Sequence, residues 1–271
     1  MRTIVHLSDL HFGKVDQSLI VPLLEAVERI NPDLVAVSGD LTQRAKAGQF
    51  KAARDFLNQL PSPQIIVPGN HDIPLYNVFK RFFTPLKHYH RHITDDLQPF
   101  YQDEEIAVLG LNTARSLAFK EGRINREQTE QARQRLCPLT EGVTKIVVTH
   151  HPFELPAGHE GELVGRSKMV MEVLADCGAD VLLSGHLHIS NTASTAARYK
   201  IAGHAAIVVQ AGTATSTRGR GETNSFNVLR VEQSKSLTVE RLSWQPELNA
   251  FTVLVQEHFR QSAKGWMLVR K

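Results

Sequence analysis

The fold is decided by the stretch Ile65-Ile66-Val67-Pro68-Gly69-Asn70-His71-Asp72. Its apolar, β-branched start predicts a short buried strand, and the Gly-Asn pair predicts a turn where that strand ends. Open α/β sheets bind ligands at the carboxyl ends of their strands, so the polar side chains of this turn are candidates for a site. An amide oxygen can coordinate a cation, and an imidazole can give a proton or a hydrogen bond to an anion. Taken alone, the stretch is better explained as an ordinary polar turn.

The chain before this turn alternates strands and helices. Strands are predicted over 3–7 and 33–38, and helices over 17–30 and 45–60, from apolar runs and from apolar residues at helical spacing. Such β-α-β-α-β alternation predicts parallel strands joined by right-handed crossovers. The carboxyl ends of these strands are therefore expected to meet at one edge of a sheet.

The second half is less regular. Helices are predicted over 125–136, where Asn125 and Gln128 can form a capping box, and over 169–177. Strands are predicted over 106–111, 145–149, 181–184, 207–210, 226–231 and 236–242. The last of these have no helix between them, which predicts a second, largely antiparallel sheet packed on the first. Without a repeat or a linker, we expect one α/β domain over 1–271, with 251–271 packed on it or on a partner subunit.

Composition narrows the function classes. The 271 residues include 42% apolar ones, enough for a sizeable core, and 31 basic against 28 acidic residues give a net charge of +3. That balance argues against a nucleic-acid duplex or a membrane surface as partner, but it is compatible with a small anionic substrate. Cys137 and Cys177 lie far apart and near no motif, so neither a disulfide nor a thiolate metal site is expected. With no signal-peptide pattern and no membrane-spanning run, the sequence predicts a cytoplasmic protein.

Residues of types that commonly bind metals follow five of the predicted strands. They are Asp9, His11, Asp40, Asn70, His150, His186 and His188. Any one of them has a structural explanation, such as a helix cap for Asp40 or a buried, hydrogen-bonded ring for His150. Their coincidence at strand ends favours a site. Seven oxygen and imidazole donors suit two ions about 3.5–4 Å apart with one bridging carboxylate, an arrangement used for displacement at phosphorus.

The same residues resemble the five-block signature of the calcineurin-like metallophosphoesterases. The blocks are Asp9-x-His11, Gly39-Asp40, Gly69-Asn70-His71-Asp72, Val147-x-x-His150 and Gly185-His186-x-His188. The resemblance implies a four-layer α/β/β/α sandwich of two mixed sheets. It also implies that Asp9, His11 and His188 bind one metal, that Asn70, His150 and His186 bind the other, and that Asp40 bridges both.

The chemistry implied by the resemblance is hydrolysis of a phosphate ester by a hydroxide that two divalent ions share. The donor set lacks sulfur, so Mn²⁺, Fe or Zn²⁺ is expected. His71 is expected to face the phosphoryl group, as a hydrogen-bond donor or as the acid for the leaving alkoxide. Either Asp72, the second predicted catalytic residue, or a backbone carbonyl is expected to hold its other ring nitrogen.

Substrate-binding residues are predicted with less support. Arg218 and Arg220 lie in the Gly/Thr-rich segment 212–221, which is either an anion clamp or an ordinary turn. His90 belongs to the basic segment 87–92, which is either a lid over the phosphate or a solvated loop.

Departures from the family's branches narrow the substrate. Gln43, Ala45, Pro68 and Asp72 stand where protein phosphatases of the superfamily have other residues, and the chain lacks the length and basic patch expected of its nucleases. The opening block 6–13 is most similar to the bacterial cyclic-nucleotide phosphodiesterase-like, or class III, branch. The alternatives are a UDP-diacylglucosamine pyrophosphate hydrolase of lipid A synthesis and an inactive binding scaffold. A homodimer is compatible with each of them.

Overall fold

The computed structural model of the chain describes residues 1–117, 121–159, 161, 163–199, 201, 203–219, 221–233, 235–263 and 265–269. The helices are α1 Ile20–Ile30, α2 Ala47–Leu57, α3 Val78–Phe83, α4 Lys87–His92, α5 Arg126–Leu136 and α6 Ser167–Asp176. The strands are β1 Arg2–Leu7, β2 Leu34–Val37, β3 Gln64–Ile66, β4 Phe100–Gln102, β5 Ile106–Gly110, β6 Thr144–Val148, β7 Val181–Ser184, β8 Asn191–Ser194, β9 Ile207–Gln210, β10 Ser225–Glu232, β11 Ser236–Gln245, β12 Ala250–Ser262 and β13 Gly265–Leu268. Short 3-10 turns lie at Gln17–Leu19, Asn70–Asp72, Thr195–Ala197 and Pro246–Leu248.

Two mixed sheets form the centre of the fold. One has the strand order β13-β12-β11-β10-β1-β2-β3, and the other has the order β4-β5-β6-β7-β9-β8. Strands β1, β2 and β3 are parallel neighbours, as the βαβ alternation predicts. Their carboxyl ends therefore lie along one edge, which brings the loops after Leu7, Val37 and Ile66 together.

Buried side chains make three apolar layers. Alternate residues of each central strand face opposite ways, so Ile4 packs between the two sheets while Val5 packs under α1 and α2. Likewise Ile146 lies between the sheets and Val147 packs under α5 and α6. The result is helices, sheet, sheet and helices in succession, and the four-layer sandwich is confirmed.

The final strands are placed differently from the sequence prediction. Strand β10 pairs antiparallel with β1, with Leu229 opposite Ile4, and β11, β12 and β13 follow it in the same sheet. The prediction that 226–231 and 236–242 form a second sheet together with 207–210 was wrong, because only β9 of these three lies in the other sheet. Without β10, the edge of β1 would leave buried backbone groups unpaired, and pairing satisfies them. The second sheet is built from the mostly parallel strands between Phe100 and Gln210.

The two cysteines form a disulfide, which also contradicts the sequence prediction. Cys137 ends α5 and Cys177 ends α6, and their Cα atoms are 4.2 Å apart. Both helices pack on the same face of the second sheet. Separation in sequence is therefore a poor guide to distance here, because parallel crossovers return the chain to the same side.

The helix cap predicted from the sequence is present in the structure. The Asn125 side chain accepts from Gln128 N at 2.8 Å, and the Gln128 side chain accepts from Asn125 N at 3.1 Å, which confirms the capping box of α5. None of the helices described is long and apolar enough to cross a membrane.

Candidate metal centre

Five of the seven predicted ligand residues have left-handed backbone conformations. Their φ angles are +52° at Asp9, +49° at His11, +52° at Asp40, +73° at His186 and +58° at His188. Such angles are uncommon outside glycine and cost about 1–3 kcal/mol each, so they persist where the surrounding structure imposes them. Here the two loops hold each other, since Asp9 N donates to Gly39 O at 3.1 Å and His11 N donates to Asp40 O at 2.9 Å. The strain turns these side chains toward one point.

One group of buried donors gathers around Asp9. Its Oδ1 lies 3.2 Å from Nε2 of His188 and 3.6 Å from Nε2 of His11, and those two nitrogens are 3.1 Å apart. Oδ2 of Asp40 lies 3.7 Å from His11 Nε2. Each of the four residues offers a ligand atom within 4.8 Å of the others, which is a spacing that one cation can occupy.

A second group gathers around Asn70. Its Oδ1 lies 3.1 Å from Nε2 of His150 and 3.0 Å from Nδ1 of His186, and these nitrogens are 3.3 Å apart. Oδ1 of Asp40 lies 3.4 Å from His150 Nε2. The Asp40 carboxylate thus presents one oxygen to each group. The structure brings all seven predicted residues together in the division that the resemblance implies.

Hydrogen bonds behind the rings fix which nitrogens face inward. His150 Nδ1 donates to the Ser38 carbonyl at 2.8 Å, and His188 Nδ1 donates to the Arg218 carbonyl at 3.1 Å. In the neutral ring the other nitrogen then carries a lone pair, which is the state that binds a metal. Oδ1 of Asp9 is buried without a hydrogen-bond partner in the described part of the chain. Inward lone pairs beside an unsatisfied carboxylate oxygen fit a cation.

The carboxyl groups stay ionised despite their burial. Burial alone would raise the pKa of Asp9, but the adjacent His188 and His11 rings hold it well below the usual value. Burial opposes ionisation of Asp40 in the same way, but the nearby His150 and His11 rings together outweigh burial and lower its pKa. For His150, burial lowers the pKa, but Asp40 raises it to about 9, so a metal ion that binds this ring would displace a proton. The centre therefore holds two buried negative charges, which divalent ions would neutralise.

His71 stands at the edge of the centre. Its Nδ1 donates to the Gln43 carbonyl at 3.0 Å, so of the two partners considered for this nitrogen the backbone carbonyl is the one observed. Its Nε2 lies 3.1 Å from Nη1 of Arg218, and its ring meets that of His11 edge-on at 4.9 Å. Burial lowers the pKa of the ring, more than the Asp40 charge raises it.

Asp72 lies beneath the centre. Its carboxylate accepts from the backbone N–H groups of Gly69, Leu41 and Thr42 at 2.9–3.1 Å and from the Thr42 hydroxyl at 3.0 Å. Burial, and then the Asp40 charge, raise its pKa to about 6. Asp72 thus ties the loop after β2 to the loop after β3, which positions Asp40 beside Asn70.

The three predicted substrate-binding residues do not lie together. Arg218 reaches the centre through His71, and its Nη1 also lies 3.5 Å from Oε1 of Gln43. Arg220 lies outside the described residues. His90 is on α4, where its Nδ1 lies 3.3 Å from Oδ1 of the exposed Asp95. Segment 87–92 is therefore a helix rather than a solvated loop, and its buried Tyr89 packs against α2.

Supporting residues near the centre were missed in the sequence. The Ser8 hydroxyl donates to Asp9 Oδ2 at 2.6 Å, and the Thr213 hydroxyl donates to the Asp9 carbonyl at 2.7 Å. Ser8 directly precedes the predicted ligand Asp9, so its position was a usable signal. Thr213 is 204 residues from Asp9, so nothing in the local sequence indicated this contact. His151 was not missed, because its position directly after His150 indicates a supporting residue, and its ring lies 4.7 Å from that of His186.

Comparison with known proteins identifies the family. The family model for calcineurin-like phosphoesterases matches residues 2–190, which include all seven ligand-type residues. The chain belongs to the calcineurin-like phosphoesterase family.

Individual relatives of this phosphoesterase agree with the family and the fold. A probable cyclic nucleotide phosphodiesterase of Synechococcus sp. is 24% identical over 200 residues, covering 69% of this chain and 73% of the relative. A dimetal phosphatase from Danio rerio superposes with a TM-score of 0.64 at 12% identity, over 94% of this chain and 98% of that one. A purple acid phosphatase from yellow lupin superposes with a TM-score of 0.65 at 14% identity, over 89% of this chain and about half (51%) of the lupin chain. At these identities the two structures show the fold alone.

Proposed function

We propose that this phosphoesterase is a dinuclear metal-dependent phosphodiesterase that acts on a small diester such as a cyclic nucleotide. The observation that carries the proposal is the position of Asp40, whose two carboxylate oxygens face two separate groups of ligand-type side chains. The name of the Synechococcus relative, a probable cyclic nucleotide phosphodiesterase, supports the phosphodiesterase assignment.

The two groups divide the metal-binding work. One divalent ion would be held by Asp9, His11 and His188. The other would be held by Asn70, His150 and His186, and Asp40 would contact both ions. Mn²⁺, Fe or Zn²⁺ suits these oxygen and imidazole donors. Ions bound there supply charge neutralisation at phosphorus and a water acidified toward neutral pH.

His71 and Arg218 act on the substrate from the chain itself. Because His71 Nδ1–H is held by the Gln43 carbonyl, Nε2 is the ring atom left to act on the substrate. An anionic phosphate beside it would favour protonation of Nε2, and that proton would then pass to the leaving alkoxide. The Arg218 guanidinium, adjacent to Nε2, is placed to donate to a phosphoryl oxygen. Asp72 contributes by positioning the two loops through its four accepted hydrogen bonds.

A diester fits this set of charges better than a monoester. A monoester dianion brings one more charge to neutralise, and Arg218 is the one guanidinium that the described residues place on His71. Under Mn²⁺ loading we expect a higher kcat/KM for bis-p-nitrophenyl phosphate than for p-nitrophenyl phosphate. Arg218→Ala should lower kcat/KM for the diester, while Arg29→Ala, an exposed change on α1, should not. A monoester preference that collapses in Arg218→Ala would overturn the substrate class.

A second candidate is hydrolysis of a UDP-diacylglucosamine pyrophosphate, and one surface favours it. Tyr76, Phe79 and Phe83 are 77%, 69% and 71% exposed shortly after the His71 turn, and the guanidinium of Arg44 lies over the Tyr76 ring at 5.2 Å. An apolar surface there suits an acyl chain. Turnover of a UDP-sugar lipid in mixed micelles, faster than that of bis-p-nitrophenyl phosphate and impaired by Phe79→Ser, would favour this candidate. An inactive scaffold is disfavoured, because the chain retains the full ligand set and His71.

A further inference from the structure

A large cavity lies beside the metal centre and has no role in the function proposed above. Its volume is about 720 Å³, within the range of small-molecule sites, and its walls include Leu117 and Leu163. Three guanidinium side chains also line it: Arg115, Arg123 and Arg166. The cavity therefore combines apolar surface with a concentration of positive charge.

The described residues do not pair this positive charge with an acidic side chain. None of the three arginines forms an ion pair within the described ranges, although the Glu121 side chain belongs to the same wall. Arg115 is anchored, since its Nη1 donates to the carbonyls of Asn112 at 3.1 Å and Ala114 at 2.8 Å, and its Nη2 donates to the Gln128 side chain. Burial lowers the pKa of Arg115, and the nearby charge of Arg123 lowers it further, so these two cations are close to each other.

The cavity adjoins the centre through Gly122. A Cβ added to this glycine would lie 2.8 Å from Cβ of His151, so the backbone of the cavity wall rests directly on that ring. His151 in turn offers a ring nitrogen within 4.8 Å of ligand atoms of His150 and His186. One side-chain layer thus separates the cavity wall from the Asn70 group of the metal centre.

We propose that this cavity is an anion-binding subsite that takes a second phosphoryl group of the substrate, with Arg123 and Arg166 as its main contacts. The substrate class would be a phosphodiester whose organic part carries a further phosphate, with the apolar wall at Leu117 and Leu163 against that organic part. This inference rests on the phosphodiesterase function proposed above. Guanidinium groups suit phosphate because they donate in pairs to its oxygens.

Binding is tested first without metal or turnover. Calorimetry of the metal-free protein should show binding of thymidine 3′,5′-bisphosphate and none of thymidine. Arg123→Gln/Arg166→Gln should weaken the binding by about tenfold or more, the effect expected from losing charge-assisted hydrogen bonds. Arg126→Gln, an exposed change on α5 outside the cavity, is the matched control and should bind as the parent does. Equal binding by the double variant and the control would overturn the subsite.

A second measurement uses the unaltered protein, in case the double variant folds poorly. Phenylglyoxal modifies accessible arginines, and mass spectrometry reports the extent at each one. Thymidine 3′,5′-bisphosphate should protect Arg123 and Arg166 while Arg126 reacts at its usual rate. Protection that is absent at Arg123 and Arg166, or equal at all three, would refute the proposal.

Turnover separates this inference from the function on which it rests. The Mn²⁺-loaded protein should cleave the p-nitrophenyl ester of thymidine 5′-phosphate, and a 3′-phosphate on the same ester should raise kcat/KM about tenfold. The double variant should lose that preference and keep its rate on the simpler ester. If both esters are cleaved with the same kcat/KM, the subsite proposal is refuted and the proposed phosphodiesterase function stands. If neither ester is cleaved but the metal-free protein binds the bisphosphate through Arg123 and Arg166, the proposed function fails and the subsite stands.

Discussion

Replacement of His71 tests whether this residue acts as a proton donor or as a metal ligand. His71 Nδ1 is held by the Gln43 carbonyl at 3.0 Å and Nε2 faces Arg218 at 3.1 Å, and neither nitrogen is grouped with the ligand atoms around Asp9. His71→Ala should therefore leave the metal content unchanged. It should lower kcat by about 10²–10⁴-fold, the usual contribution of a positioned proton donor, which equals roughly 3–5 kcal/mol of transition-state stabilisation.

The structural cost of this change is small by comparison. The variant loses the contact of Nε2 with Arg218 Nη1 and the hydrogen bond to the Gln43 carbonyl, each worth about 0.5–1.5 kcal/mol of the free energy of unfolding. His71→Asn can restore that bond through its amide N–H but cannot exchange a proton, so it should recover stability and not kcat. Metal analysis, thermal denaturation and steady-state kinetics with bis-p-nitrophenyl phosphate measure the three quantities. His159→Ala, at an exposed loop position, is the control. Loss of one metal equivalent in His71→Ala, or full activity in His71→Asn, would refute the reasoning.

Two further changes test the framework of the centre. Gly69→Ala would place a Cβ 2.8 Å from Cγ of Asp40, so we expect metal binding at least about tenfold weaker by calorimetry. The control Gly48→Ala, on α2, would place its Cβ where no atom lies within 4 Å, so it should bind metal normally and gain up to about 1 kcal/mol in the free energy of unfolding. Normal metal affinity in Gly69→Ala would contradict the close approach. The Cys137–Cys177 bond closes a 40-residue loop, so Cys137→Ser/Cys177→Ser should lower the free energy of unfolding by roughly 2–4 kcal/mol in urea denaturation, and an unchanged midpoint would argue against the bond.

The sequence predicted the site better than the sheet arrangement, for a physical reason. Each ligand block follows a strand directly, and parallel crossovers necessarily bring such strand ends to one edge. Asp40 and Asn70 meet because β2 and β3 are parallel neighbours, which the alternation of local apolar patterns was enough to indicate.

Long-range pairing was less accessible to the same reasoning. Nothing local in β10 shows that it pairs with β1, more than 200 residues away, rather than with another late strand. The disulfide was missed for the same reason. The three-arginine cavity was also not visible in the sequence. Arg115 and Arg123 lie in the connection before α5 and Arg166 lies just before α6, and only the tertiary structure brings them to one wall.

The central claim is that two metal ions share Asp40, and metal stoichiometry of Asp40→Asn tests it most directly. An amide offers one oxygen and no charge, so it is a poor bridge between two cations. The parent protein and Asp55→Asn, an exposed change on α2, should each retain two equivalents of Mn²⁺ or Zn²⁺ after dialysis, measured by plasma mass spectrometry. Asp40→Asn should retain one equivalent or fewer and lose turnover of bis-p-nitrophenyl phosphate. Two tightly held ions and unimpaired turnover in Asp40→Asn would contradict the account.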